Sequence, residues 1–207
     1  MAKVTTTKEL AQGGVRKRKS QPAPFSPPLT VSHRELLYKG SDDRFRQVIY
    51  LFVEVLGRFS VCRDAFGRSI GLTGSQFAVL AGVAYRQGEQ GVTIKRLAQY
   101  IHLAPTHVTT EVGRLIRMGL LQKFAADDDR RSVLVSLTAV GEETVATVNH
   151  FVRRVNDVLF EGVSAEDLER AEGVFNRLSR NSEFAIAELR VAERESAESD
   201  SRWGMGR

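Results

Sequence analysis

The chain has 207 residues, of which 42% are hydrophobic, so it is long enough to bury the core of at least one domain. It contains no run of about 18 apolar residues and its first 20 residues are polar and basic, so we expect neither a membrane span nor a secretory signal. The one cysteine, Cys62, excludes an internal disulfide and is typical of a protein of the reducing cytoplasm.

The net charge of +5 is distributed unevenly along the chain. Residues 1–42 carry eight Lys or Arg against three Asp or Glu, residues 91–137 carry seven against four, and residues 138–200 carry seven against fourteen. A polyanion would therefore approach the first two segments and avoid the third.

Both ends of the chain have the composition of tails. Residues 1–40 hold four of the five prolines and the cluster Arg16-Lys17-Arg18-Lys19, which predicts a disordered basic tail. The cluster is either a solvated segment or an arm that contacts DNA phosphate. Residues 191–207 are polar, and we expect a flexible C-terminal tail there.

A long first helix is predicted over 41–68, with Ser41 as its cap. Its apolar residues recur at spacings of three and four, a stripe so broad that it must be buried, with a partner subunit as a candidate. The stripe consists of Phe45, Val48, Ile49, Phe52, Val55, Leu56, Phe59, Cys62 and Phe66.

Three shorter helices are predicted to follow. Thr73 and Gln76 form a capping box for the second helix, and Thr93 can cap the third. Pro105 opens the fourth, which Gly119 ends as a left-handed cap. The third and fourth helices, joined by a tight turn, have the shape of a helix-turn-helix.

Beyond Gly119 the apolar period changes from 3.6 to 2, which predicts strands at 121–124 and 133–137 joined by a charged hairpin. Thr138 and Ser164 then open two further helices. The predicted fold is mainly α with a small β-wing. A winged helix-turn-helix lobe (71–138) is flanked by N-terminal (41–68) and C-terminal (138–190) helices.

The outer face of the fourth helix suggests a function. Short hydrogen-bonding side chains near its N-terminus suit a helix inserted into a major groove, where they can approach base edges. The plainer interpretation is a helix that simply faces solvent. The candidate DNA-binding residues here are Thr106, His107, Thr109, Thr110 and Arg114, with the small Gly113 beside them, and Lys95, Arg96 and Lys123 are added from neighbouring elements.

The hairpin tip reads Asp127-Asp128-Asp129-Arg130-Arg131. An Asp in a tight hairpin can hold one arginine in place and leave the other free to enter a narrow minor groove. Arg130 and Arg131 are therefore DNA-binding candidates. The alternative is a solvated turn whose ion pairs contribute little.

These segments together resemble the MarR (multiple antibiotic resistance regulator) family. The resemblance is carried by Gly71-Leu72-Thr73-x-x-Gln76-Phe77-x-x-Leu80, by the helix-turn-helix from Ile94 to Leu121, and by Asp129-Arg130-Arg131-x-x-x-Val135-x-Leu137-Thr138-x-x-Gly141. It spans roughly Phe45 to Leu189.

The resemblance implies a homodimeric transcription regulator whose dimerisation helices are the N-terminal (41–68) and C-terminal (138–190) ones. It further implies a palindromic duplex site, with the fourth helix in the major groove and the wing arginines in the minor groove. It also implies that the protein is a repressor released by a small aromatic or phenolic ligand. The sequence departs from the family pattern in three places. Ala126 and Asp127 replace the usual Asp-Pro of the wing, Ala104 replaces a Ser before the recognition helix, and the N-terminal extension is long.

An effector pocket could be lined by Phe59, Arg63, Phe66, Tyr85 and Tyr100, with Arg63 pairing a ligand carboxylate. The alternative is that the aromatic rings belong to the core and that Arg63 is solvated. Cys62 lies on or beside the apolar stripe, which favours an inert thiol over a redox sensor. The four histidines are scattered without partners at ligand spacing, so no metal and no cofactor are expected.

An enzyme and a winged helix without an effector are the two other classes of function to compare with the sequence. An enzyme is not expected, because the chain lacks a Walker loop, HExxH, GxSxG and a Rossmann glycine pattern. An architectural or protein-interaction winged helix without an effector remains the alternative. A protein-docking helix would show large apolar side chains where this one has Thr and His.

Overall fold

The computed structural model describes the backbone of residues 25–125 and 133–202, and the side chains of these ranges as far as residue 197. Contacts divide the chain into two compact units, Met1–Leu56 and Gly57–Arg207, which we describe separately. The fold is mainly helical with one small antiparallel sheet, as the sequence predicted.

The described part of the first unit is a short segment, residues 25–42, and the beginning of helix α1 (Asp43–Ser69), which continues into the second unit. Thr30 donates from its amide and its hydroxyl to one carboxylate oxygen of Asp42, at 2.6 Å each, and Arg46 pairs with the other oxygen. The Thr30 bonds hold the pKa of the Asp42 carboxyl below its usual value. The described part of the predicted tail, residues 25–40, is therefore tied to the start of α1, and the expectation of disorder was wrong there. The cluster 16–19 lies outside the described residues.

The second unit contains the remaining helices, which are α2 (Gly74–Arg86), α3 (Ile94–Ile101), α4 (Pro105–Arg117), α5 (Ala139–Leu159) and α6 (Ala165–Arg202). Most of their predicted caps are confirmed. Thr73 and Gln76 form a reciprocal capping box, and Thr93 and Thr138 each accept a backbone amide from the first turn that they cap. These capping hydrogen bonds could be predicted from the sequence, because each joins residues that are only three positions apart.

Gly119 ends α4 with φ of +76°, a conformation that glycine adopts without steric cost. The amide of Leu120 donates to the Leu115 carbonyl and that of Gly119 to the Ile116 carbonyl, which is a Schellman motif. The motif turns the chain from the fourth helix directly into the wing.

The sheet has three antiparallel strands in the order β1-β3-β2, namely β1 (Val92–Thr93), β2 (Leu121–Ala125) and β3 (Val133–Leu137). In the wing hairpin Leu121 pairs with Leu137 and Lys123 with Val135. Strand β1 was not predicted from the sequence, because two residues are too few to show a period.

The core of the second unit lies between α2, α3, α4 and the sheet, because the apolar stripes of these helices converge there. Its fully buried side chains include Leu80, Leu97, Val108, Val112, Leu115 and Val135. This core fixes the orientation of α4, and so determines which of its side chains face outward.

Helix α6 continues to Arg202, which corrects the predicted start of a loose tail at residue 191. Residues 191–202 are rich in Ala, Glu and Arg and lack Gly and Pro, so nothing in them ends a helix. Among the described helices none is long and apolar enough to cross a membrane.

Candidate nucleic-acid interface

Helices α3 and α4 form the predicted helix-turn-helix, joined by a turn in which His102 is left-handed, with φ of 53° and ψ of 43°. Buried apolar residues anchor one side of each helix, and the opposite side faces outward. All eight described DNA-binding candidates are exposed, namely Lys95, Arg96, Thr106, His107, Thr109, Thr110, Arg114 and Lys123. Five belong to α4, two to the first turn of α3 and one to β2.

The start of α4 leaves backbone donors free. Its cap residue, Ala104, makes no side-chain hydrogen bond to the first turn, and Pro105 has no amide hydrogen. The amides of Thr106 and His107 come before the first intrahelical bond, in which Val108 donates to the Ala104 carbonyl. Two amides therefore point along the helix axis where the macrodipole favours an anion.

The hydroxyls of the next two threonines are already engaged as donors. Thr109 donates to the Pro105 carbonyl at 2.8 Å, and Thr110 donates to the Thr106 carbonyl at 3.0 Å. A hydroxyl that donates backwards along its helix still has lone pairs that can accept a bond. In this arrangement these threonines can accept from base amino groups and offer methyl groups to thymine.

Glu111 is buried in the same helix, with 3% of its surface exposed. Its Oε1 accepts from Nη1 of Arg114 at 2.7 Å, and Oε2 has no hydrogen-bond partner among the described residues. Glu111 is also the sole acidic residue between positions 91 and 125, where five are basic. Because that one carboxylate is buried and paired, the exposed surface of this segment is uniformly basic.

The wing follows α4 directly, and its paired strands are described up to Ala125 and from Val133 onward. Lys123 is exposed on β2. The hairpin tip, with Arg130 and Arg131 and the acidic triplet before them, lies outside the described residues.

The predicted effector residues are partly brought together. Phe66 and Tyr85 line one cavity of about 270 Å³ between α1, α2 and α5, together with Phe77, Ala81, Val145, Val148, Asn149, Val152 and Asn156. The ring centroid of Phe66 lies 5.5 Å from that of Phe77 and 5.4 Å from that of Phe151. This cavity is lined mostly by apolar residues, and its polar residues are Tyr85 and the two asparagines.

The other three predicted effector residues lie elsewhere. The ring of Phe59 lies 6.0 Å from that of Phe160. Arg63 donates to Ser60 on its own helix, and its Nε lies 3.9 Å from Asp64. Tyr100 lines a different cavity on the outer side of α3, where the guanidinium of Arg86 lies over its ring.

The burial of Glu111 and the two asparagines of the cavity were not predicted from the sequence. The signal for Glu111 was present, because position 111 lies one turn from Val108 and Leu115 on the apolar side of α4. The asparagines gave no comparable signal, since a polar residue on α5 is equally compatible with solvent.

Comparison with known proteins agrees with this geometry. Residues 72–141 match the family described as a winged helix DNA-binding domain. An uncharacterized HTH-type transcriptional regulator of Bacillus subtilis, YwhA, is 24% identical over 98 residues, which cover 47% of this chain and 69% of that protein.

Solved structures with the same fold include MarR family transcription regulators. The chain is similar to CouR from Rhodococcus jostii RHA1, solved with p-coumaroyl-CoA (TM-score 0.57, 20% identity, 63% of this chain and 90% of that one). It is also similar to the M. tuberculosis regulator MOSR, solved with DNA (TM-score 0.52, 24% identity, 66% and 96%). A MarR family regulator from Silicibacter pomeroyi matches with a TM-score of 0.55 and 19% identity over 73% and 96%.

Proposed function

We propose that this protein binds a specific duplex DNA site and regulates transcription in the cytoplasm. Residues 72–141 match a winged helix DNA-binding domain, and the chain shares the fold of MarR family transcription regulators. In this proposal α4 enters the major groove. The observation that carries it is the outer face of α3 and α4, which is exposed, polar and basic, while Glu111, the one acidic residue of these two helices, is buried on the other side.

At the beginning of α4, we propose that backbone amides contribute affinity and that side chains contribute specificity. The free amides of Thr106 and His107 suit a backbone phosphate, which would fix the position of the helix on the duplex without reading sequence. The side chains of His107, Thr109 and Thr110 then supply contacts to base edges. Lys95, Arg96 and Lys123 add sequence-independent attraction to phosphate.

We expect Thr109→Val or His107→Ala to change the sequence preference of the protein. The loss at an affected base pair should be roughly 1–3 kcal/mol, because one base contact is removed. Binding to a panel of single-base variants of the selected site measures it. Equal weakening on every sequence would mean that these side chains touch only phosphate.

The wing supplies a second expectation. Arg130→Ala and Arg131→Ala should each lower affinity for the selected site without lowering the thermal midpoint, because the narrow minor groove attracts a guanidinium. Fluorescence anisotropy at a fixed salt concentration measures the affinity, since the phosphate contribution varies with salt. Unchanged binding in both variants would contradict a role for the wing.

We further propose that the protein acts as a homodimer on a palindromic site. In the first unit Val53 and Leu56 of α1 are each 64% exposed. In the second unit Leu168, Leu178 and Leu189 of α6 are 51%, 46% and 61% exposed. Large apolar side chains repeated along exposed helix faces favour burial against a second copy, as the sequence analysis expected.

The cavity around Phe66 supports a small aromatic effector. Its volume of about 270 Å³ is just below the usual range for ligand pockets, and its walls combine aromatic rings with the two asparagine amides. CouR, whose fold this chain shares, was solved with a bound acyl-CoA. Phe66 and Tyr85 remain effector candidates, and Asn149 and Asn156 take the polar role first considered for Arg63. Repression relieved by such a ligand is the regulation that we propose.

One experiment tests the whole proposal. Duplexes bound by the full-length protein are selected from a random pool, the mass of the complex is measured by light scattering, and small aromatic acids are screened for release of the selected site. We expect a palindromic consensus bound by two protomers. Enrichment of no sequence would favour an architectural or protein-interaction module instead.

A further inference from the structure

A second cavity lies on the outer side of α3, separate from the apolar cavity around Phe66. Its volume is about 630 Å³, and it is open to solvent. The lining residues come from the end of α2, from β1, from α3 and from the turn after α3, and they are Arg86, Val92, Arg96, Gln99, Tyr100 and His102. Five of the six are polar, and two carry a permanent positive charge.

Arg86 is held in a defined position by the aromatic ring beneath it. Its guanidinium carbon lies 4.0 Å from the centroid of the Tyr100 ring. A guanidinium that lies over a ring uses its face for that contact and keeps its N–H groups for acceptors around its edge. The contact therefore fixes the cation without consuming its hydrogen-bond donors.

The donors of this cavity have no acceptors among the residues that the structure describes. Within residues 25–125 and 133–197, the side chains of Arg86, Arg96, Gln99, Tyr100 and His102 make neither a hydrogen bond nor an ion pair. Two guanidiniums contribute to this concave surface, and none of its lining residues carries a carboxylate. A concave basic surface of this kind concentrates positive potential and attracts an anion.

His102 is placed in the cavity by an unfavourable backbone conformation. Its φ of 53° lies in the left-handed region, where glycine is the residue that normally ends a helix. A non-glycine residue costs free energy at such a position, and residues of this kind cluster at functional sites. Helix termination at position 102 requires only a residue that tolerates this backbone conformation. It does not explain why the side chain in the cavity is a histidine.

We propose that this cavity binds a phosphate group through Arg86 and Arg96, with Gln99, Tyr100 and His102 as further donors. Phosphate fits better than a single carboxylate. A phosphate monoester offers three terminal acceptor oxygens and up to two negative charges, which matches two guanidiniums and several neutral donors, and a backbone phosphodiester offers two terminal oxygens and one charge. The phosphate belongs either to the DNA backbone beside the helix-turn-helix or to a phosphorylated small molecule.

The first arm of the test needs no DNA and uses inorganic pyrophosphate as the probe. Isothermal titration calorimetry on the full-length protein should give a Kd at or below about 1 mM. Arg86→Gln and Arg96→Gln should each raise that Kd at least about tenfold, because each removes one charged donor pair. Arg180→Gln, on an exposed part of α6, is the matched control and should leave the Kd unchanged.

His102→Gly separates binding from folding. Glycine relieves the left-handed backbone, so the thermal midpoint should stay the same or rise. Pyrophosphate binding should nevertheless weaken, since one donor is removed. If the thermal midpoint rises while the affinity for pyrophosphate stays unchanged, His102 does not contribute to the phosphate site.

The second arm identifies the source of the phosphate, and this arm alone rests on the proposed function. If the site holds DNA backbone, Arg86→Gln lowers the slope of log K against log salt by about 1 on every sequence. If the slope is unchanged while pyrophosphate binding is lost, the natural ligand is a phosphorylated small molecule.

The proposal is overturned if the Arg86→Gln/Arg96→Gln double variant matches the wild type in both pyrophosphate affinity and salt slope. A wild-type protein that binds no duplex would defeat the proposed function. The pyrophosphate arm would then decide the phosphate site by itself.

Discussion

Gly141→Ala is expected to lower the free energy of unfolding by about 3 kcal/mol or more, the upper range for overpacking. Gly141 lies in the first turn of α5, where a Cβ atom would be 2.1 Å from the carbonyl oxygen of Leu120. That oxygen belongs to the backbone, so no side-chain rotation can relieve the clash.

The surroundings of Gly141 make the clash harder to avoid. The Gly141 amide donates to the Thr138 hydroxyl, and the Thr138 amide donates to the same Leu120 carbonyl. The Thr138 hydroxyl also donates to the carbonyl of Gly119. These bonds join the end of α4 to the start of α5, so moving α5 away would break the junction that positions the wing.

Thermal unfolding followed by circular dichroism measures this effect, which should lower the midpoint by roughly 6–12 °C. Gly173→Ala in α6 is the control, because its Cβ would meet only the flexible end of Arg177 at 3.6 Å. That change should stabilise the protein by up to about 1 kcal/mol through helix propensity. Equal effects of the two substitutions would mean that the close approach at Leu120 is not rigid.

Arg114→Ala is expected to destabilise the protein as well as weaken DNA binding. The substitution leaves the buried carboxylate of Glu111 with no cation, and breaking a buried pair costs about 3–5 kcal/mol. Because the Arg114 side chain is 50% exposed, water can replace part of the interaction, so we expect about 1–3 kcal/mol. Urea denaturation monitored by circular dichroism measures the change.

The Glu111→Leu/Arg114→Ala double variant separates the two effects. Replacing both partners of a buried pair by apolar groups is often neutral or stabilising, so the free energy of unfolding should recover. Affinity for the selected DNA should stay about 10- to 100-fold below that of the wild type, as the loss of one base or phosphate contact requires. Affinity that recovers together with stability would show that Arg114 acts only through Glu111.

If the free energy of unfolding of Arg114→Ala equals that of the wild type, the ion pair between Glu111 and Arg114 does not stabilise the fold. Glu111→Gln provides a further check, because the amide oxygen can still accept from Arg114 while the negative charge is removed. We expect that variant to be less damaging to stability than Arg114→Ala.

The amino-acid sequence by itself determined the local features of this protein. Thr73, Thr93 and Thr138 cap helices through hydrogen bonds that span three residues, and Gly119 ends α4 through its freedom to adopt positive φ. The change of apolar period after Gly119 separated the helices from the wing. These features were readable because their causes lie within a few residues along the chain.

The sequence also located the outward face of the helix-turn-helix, since the period of the apolar residues leaves the polar ones on the other side. It misjudged both ends of the described chain. Thr30 is tied to Asp42 across twelve residues, and α6 continues twelve residues past its predicted end. The bonds between Thr30 and Asp42 depend on a contact that no local pattern encodes. The last residues of α6 have the polar composition of a tail, although their helix propensity is high.

Tertiary structure alone decided which side chains share a cavity and which charges are buried. Phe66 and Tyr85 meet in one cavity while Tyr100 lies against Arg86 in another, although all three are aromatic residues on amphipathic helices. Glu111 is buried and paired because α4 packs with that side against the core. Such outcomes depend on how separate helices pack together, and the free energy that selects one packing is spread over residues distant in the sequence.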